Sequence, residues 1–245
     1  MRIRTAITLI VLMVFPCLPA PAGAQKTQRV PDNIQTGLQY LLSFVGSQQD
    51  SRRRFDPEQI AQVLEFITAP KSDTVRYHAG ELNGAPSAYH DFTIRKNLRD
   101  ILRISYDPDI SSVITSPSSL RLTRWKQVEG KPQPLPRFWE QISDFTSPMV
   151  VTGVEHTVNT PDEHSGTYYE YDLERTMILF KFRGKNVFVS MSKQPERSNV
   201  GKKGLVVGSD RNWEYLYSGE TGVGKFGLGW VRSYMYDSSG IIIYY

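Results

Sequence analysis

Ile34, Leu38, Leu41, Leu42 and Val45 recur close to i, i+4, i+7, i+8, the spacing that lays one apolar stripe along a helix. Asp32 stands at its start as a capping residue, and Gly46-Ser47 ends it. Asp56-Pro57 then supplies an N-cap and a proline at the first helical position. A second stripe follows at Ile60, Val63, Leu64 and Ile67, and Pro70 stops it. The short polar connection QQDSRRRF suits a helical hairpin docked on something larger. Ile94, Leu98, Ile101 and Leu102 predict a third helix over 94–106, with Pro108 beyond its end. A short strand is expected at 75–78, another around Leu120, Leu122 and Trp125, and a brief helix over 138–145 after the loop GKPQPLP.

From Pro148 the period changes to two. The stretches 150–158, 167–173, 176–182 and 186–192 are rich in β-branched and aromatic residues, as strands require. Arg183-Gly184-Lys185-Asn186 reads as a hairpin turn, because glycine and asparagine tolerate positive φ. The pattern continues at 205–207, 213–217, 227–236 and 241–245, with Asp237-Ser238-Ser239-Gly240 as a hairpin loop. Helices followed by a run of strands predict an α+β fold: an N-terminal helical hairpin and a third helix packed on a mainly antiparallel, C-terminally concentrated β-sheet. The expected division is a helical segment over 25–73 and an α+β domain over 74–245, its strands concentrated from about residue 148.

Residues 1–24 stand apart. Arg2 and Arg4 precede the apolar run AITLIVLMVF; three prolines and the small residues Ala22-Gly23-Ala24 follow it. This is the pattern of a secretory signal peptide cleaved before Gln25. Ten apolar residues are too few for a bilayer of about 30 Å, so no transmembrane helix is expected in the mature chain. Cleavage removes Cys17, the only cysteine, and with it disulfides, thiol catalysis and Cys-ligated metal. Phe15-Pro16 before that cysteine departs from the small residues of a lipoprotein signal. Losing Arg2 and Arg4 lowers the formal charge from +4 to +2. With Arg52-Arg53-Arg54 as the one tight basic run, no nucleic-acid partner is expected. Hydrophobic content of 40% and charged content of 22% are ordinary for a globular chain. The location read from the leader is periplasmic or secreted.

Two motifs invite chemistry and fail on context. Gly219-x-x-x-x-Gly224-Lys225 resembles a phosphate-binding loop, but Phe226 stands where the magnesium-binding hydroxyl belongs. No helix is predicted to start at Lys225, and an exported compartment offers little nucleotide. The stretch is expected to be a glycine-rich turn between strands, and no nucleotide or other cofactor is expected. Ser190-x-x-Lys193 would need a helix to bring hydroxyl and amine together. On a strand these two residues fall on opposite faces.

Two groupings remain. Glu155-His156 and Asp162-Glu163-His164 lie within ten residues, so a hairpin could join His156, His164 and Glu155 as zinc ligands or a general-base set. The second grouping is aromatic. Tyr169, Tyr171, Tyr215, Tyr217 and Trp230 are read as the wall of an amphipathic crevice between helices and sheet, for a lipid or other amphipathic ligand. The leading reading is an exported, non-catalytic binding protein for an apolar or amphipathic ligand or a cell-envelope partner. The alternatives are a metal-assisted hydrolase using the cluster at 155–164, and an outer-membrane β-barrel.

Overall fold

In the computed structural model, residues 5–13, 31–45, 54–69, 76–82, 85–111, 114, 120–143, 145–159, 169–196, 206–207, 214–215, 223–226, 229–232 and 238–245 are described. They confirm the α+β class: three α-helices and an antiparallel sheet whose main part comes from the C-terminal half. The strands are β1 (Thr5–Met13), β2 (Arg76–Leu82), β3 (Ala85–Ile94), β4 (Leu120–Val128), β5 (Met149–Asn159), β6 (Tyr169–Phe182) and β7 (Lys185–Lys193), then β8 (Val206–Val207), β9 (Glu214–Tyr215), β10 (Val223–Phe226), β11 (Gly229–Arg232) and β12 (Ser238–Tyr244). Eight of them form one sheet in the order β2-β3-β1-β12-β7-β6-β5-β4, every neighbour antiparallel. β8 pairs with β9, and β10 with β11, as separate two-stranded pieces.

Helices α1 (Asp32–Leu42) and α2 (Ala61–Thr68) occupy the two predicted stripes. Pro31, not Asp32, sits at the N-cap of α1, and Asp32 is drawn into the first turn, where its charge faces the helix dipole favourably. Asp56 caps as expected, its carboxylate accepting from the Glu58 N–H, but it opens a 3-10 turn over Pro57–Ile60 that leads into α2. α3 (Leu98–Tyr106) starts four residues later than its apolar stripe. Asn97 caps it by accepting from the Asp100 N–H, and Ile94 belongs to β3. No described helix is long and apolar enough to cross a membrane.

The sheet separates two cores. On one face, Ile34, Leu38, Leu41, Ile60, Val63, Leu64 and Ile67 of the first two helical segments pack on Ile178, Phe180, Val187, Val189, Met191, Ile241 and Ile243. On the other, Ile101 and Leu102 of α3 and the turn Phe138–Gln141 pack on Val151, Met177, Leu179, Phe188 and Tyr244. β7 is therefore buried from Val187 to Ser192 on both faces, which explains its unusually apolar sequence.

Several strands differ from expectation. Stretches 167–173 and 176–182 fuse into β6, whose charged middle, Glu174-Arg175, continues the ladder. The hairpin turn narrows to Arg183 and Gly184, both at positive φ (48° and 78°), as a two-residue turn between β6 and β7 needs. Ser238-Ser239-Gly240 is ladder rather than loop. Gly224-Lys225 is likewise strand, not turn: β10 pairs with β11 from Val223↔Arg232 to Phe226↔Gly229. Of the apolar run 6–15 read as the leader's core, residues 6–13 lie in β1, between β3 and β12.

Gly153 shows how tightly β4 is seated. A Cβ there would lie 2.5 Å from the Gln127 carbonyl oxygen and 2.9 Å from the Trp125 ring. Gly153→Ala is expected to cost about 1–3 kcal/mol by overpacking, read as a fall in the urea midpoint at unchanged slope. An unchanged midpoint would mean that β4 is free to move outward.

Candidate functional site

β5 and β6 pair without a break over eleven residues, from Met149↔Leu179 to Asn159↔Tyr169. Alternation then sorts their side chains onto two faces. Glu155 and His156 are neighbours in sequence and so point to opposite faces. Each has found a different partner.

On the α3 face, Val151, Glu155 and Thr157 of β5 are buried, as are Leu173 and Met177 of β6. Glu155 Oε2 accepts from Arg175, 2.7 Å from Nε and 2.5 Å from Nη2. The two side chains are only 8% and 12% exposed, so this is an interior ion pair. Arg175 Nη1 also donates to Ser190 Oγ at 2.9 Å, and the Tyr106 hydroxyl of α3 hydrogen-bonds the same serine. Desolvation works against the buried guanidinium most strongly of any single influence, but the charge and hydrogen bond of Glu155, with Tyr106 and Tyr171 beside it, together outweigh it, and the Arg175 pKa ends above its ordinary value. Burial pushes the Tyr106 phenol up, against the smaller opposing pull of Arg175 and Ser190. Burial does the same to Tyr244, whose hydroxyl meets Ser105. These groups satisfy one another's hydrogen bonds. They describe a satisfied polar insert in the core.

The opposite face of β5 carries Val150, Thr152, Val154, His156 and Val158, none of them fully buried. The α1–α2 core ends at β6, and no described β4 or β5 residue belongs to it; on this stripe Val150 is 41% exposed and the others are part-buried, so it is the outer face among the described residues. His156 Nδ1 lies 2.8 Å from Asp172 Oδ1, directly across the ladder. Lys126 Nζ donates to the other oxygen, Oδ2, at 2.6 Å. Lys126 arrives there because β4 bulges between Trp125 and Gln127, and the extra residue is re-aimed across the sheet. Arg124 pairs opposite His156 in the same register. Desolvation would raise the Asp172 pKa, but the Lys126 and His156 hydrogen bonds outweigh it and hold the carboxyl below its ordinary range.

That depression has a definite sign. A carboxylate with a lowered folded pKa adds stability above its unfolded value of about 4 and loses it as pH falls through the folded value. Asp172→Asn should remove this part of the acid dependence. With Lys126 half-exposed, the loss at neutral pH should stay below about 1 kcal/mol. Acid titrations that superimpose for the variant and the parent protein would show that the three groups do not couple.

The expected metal set is not brought together among the described residues. His164 lies outside them, Glu155 is engaged by Arg175 on the other face, and no described cluster of three His, Asp or Glu side chains could hold a metal ion. Asp172, Lys126 and Arg175 are the members that sequence reasoning missed. Of the aromatic positions, Tyr169 and Tyr171 lie on β6, opposite Asn159 and Thr157. Tyr215 is in β9 and Trp230 in β11, in two other sheets, and Tyr217 lies outside the described residues. Ser190 is buried and bonded to Arg175, while Lys193 is exposed at the end of β7. No protein-family model, curated protein or solved structure matches this chain.

Proposed function

We propose that this is an exported, non-catalytic binding protein, and that it takes an apolar or amphipathic ligand or cell-envelope partner on the outward face of β4, β5 and β6. One observation carries the reading: Val150, Val154 and Val158 run along β5 beside Leu122, with Leu122 and Val150 each 41% exposed and flanked by Arg124 and Lys126. Half-exposed valines beside fixed charges suit a ligand with an apolar body and a polar end. The leader pattern of residues 1–24 supports export to the periplasm or beyond.

Native mass spectrometry of the secreted protein, purified without detergent, tests the reading. An added mass that extracts into organic solvent, and that is lost in Val154→Lys, is the expected result. A bare protein mass together with no effect of Val154→Lys on any co-purifying partner would overturn it.

The His156–Asp172 contact favours a second reading, a hydrolase in which Asp172 orients the imidazole. Hydrolysis of ester or peptide substrates that disappears in His156→Ala, with bound zinc by elemental analysis, would select that alternative.

A further inference from the structure

β4, at one end of the sheet, carries the devices that keep a free edge from recruiting another strand. Its pairing is irregular at two places, and it brings Arg124 and Lys126 to the edge. β12 carries no such device. Its sequence SSGIIIY has no charge and no proline, and it pairs with β7 without a bulge. It needs no protection here because β1 covers that edge, from Ile7↔Tyr244 to Met13↔Ser238. On its other side β1 pairs with β3, from Thr5↔Ile94 to Val11↔Ala88. β1 lies wholly inside the segment read as a cleaved leader.

Removal of that leader would take an interior strand out of the sheet and leave its two neighbours anchored. Tyr89 of β3 is buried against the Phe66 ring at 5.6 Å, and Leu82 of β2 is buried in the same core. Ile241 and Ile243 hold β12 in that core too. Neighbouring strands lie about 4.8 Å apart, so the two edges would face each other across about 10 Å, one strand wide.

We propose that the mature chain accepts in this slot an extended, uncharged, apolar segment of an envelope partner, antiparallel to both β3 and β12, in the place of β1. The proposal rests on the export reading above. The sequence of β1, TAITLIVLM, states the chemistry: no charge, and five β-branched residues among its nine. Backbone N–H and C=O groups on both sides supply the affinity, as in strand addition generally. β3 is a poor substitute, since it runs parallel to β12 and would have to leave Phe66 behind. A second copy's β12 is also poor, because β7 already holds one of its edges and it could satisfy only one side of the slot.

The test uses the protein secreted by its host from the full-length gene. Intact mass fixes the first residue. Hydrogen exchange is then followed with and without a synthetic TAITLIVLM peptide carrying terminal lysines, with a scrambled peptide as control. The expected result is a chain beginning at Gln25 whose amides at 88–94 and 240–244 exchange quickly alone. The peptide should slow them about tenfold or more at one per chain, and the scrambled one should not. A chain beginning at Gln25 whose bare monomer or dimer already protects those amides, and ignores the peptide, overturns the slot and leaves export standing. A mass beginning at Met1 overturns the export reading and the slot together.

Discussion

Arg175→Met is expected to lower the unfolding free energy by about 3–5 kcal/mol, because it strands the Glu155 carboxylate in an interior built for two charges. Glu155 is 8% exposed and its Oε2 takes two of the Arg175 nitrogens. Ser190 loses a donor in the same step, since Arg175 Nη1 points at its hydroxyl. The double variant Glu155→Leu with Arg175→Met is the informative one. Paired apolar replacements of similar size often match or exceed the stability of the charges they replace, so the double should recover most of the loss. Urea unfolding of the two singles and the double closes the cycle. A single Arg175→Met below about 1 kcal/mol would mean that water reaches Glu155 freely, and that the interior description of this pair is wrong.

The same pair shows why the site was only partly legible in the sequence. Glu174-Arg175 separates the strand-like stretches 167–173 and 176–182 in the sequence, because two adjacent charges put one of them on the buried face of any strand that runs through. In the fold Arg175 lies across from Gly153, within reach of Glu155, and the strand runs through. Helical stripes could be read from spacing alone, since each depends on residues within two or three turns. Ile94 was the exception: its apolar character fitted the α3 stripe, but β3 pairing claimed it and Asn97 supplied the cap.

Contacts between strands require register, which local sequence does not carry. His156 and Asp172 are sixteen residues apart and meet because β5 and β6 pair in one register. Lys126 is forty-six residues from Asp172 and depends, in addition, on a bulge. A one-residue slip would have placed Glu155 in the outward cluster and His156 in the core. Composition was ambiguous in the same way at the N-terminus. An uncharged run of mainly aliphatic residues serves equally as the core of an export leader and as an interior strand, and TAITLIVLM fits both descriptions.

Phe188→Ala should cost about 3–5 kcal/mol, the range for emptying a fully buried aromatic site. The Phe188 ring stacks on Phe138 at 5.4 Å and 7°, and meets Tyr106 and Tyr244 at 5.4 and 5.9 Å. It is the point where α3, the Phe138–Gln141 turn and β12 converge on β7. Phe180→Ala empties a similar site on the other face, against Phe55 at 4.8 Å. Global stability should therefore fall by comparable amounts in the two variants, and melting alone would not tell them apart. Hydrogen exchange would. Phe188→Ala should speed exchange first in α3, and Phe180→Ala first in α1 and α2, because each layer is held to the shared sheet mainly by its own core. If Phe188→Ala left α3 exchange unchanged while β7 opened, α3 would be held by contacts other than this aromatic cluster. The Ser190–Tyr106 hydrogen bond would then be the anchor to test next, through Tyr106→Phe.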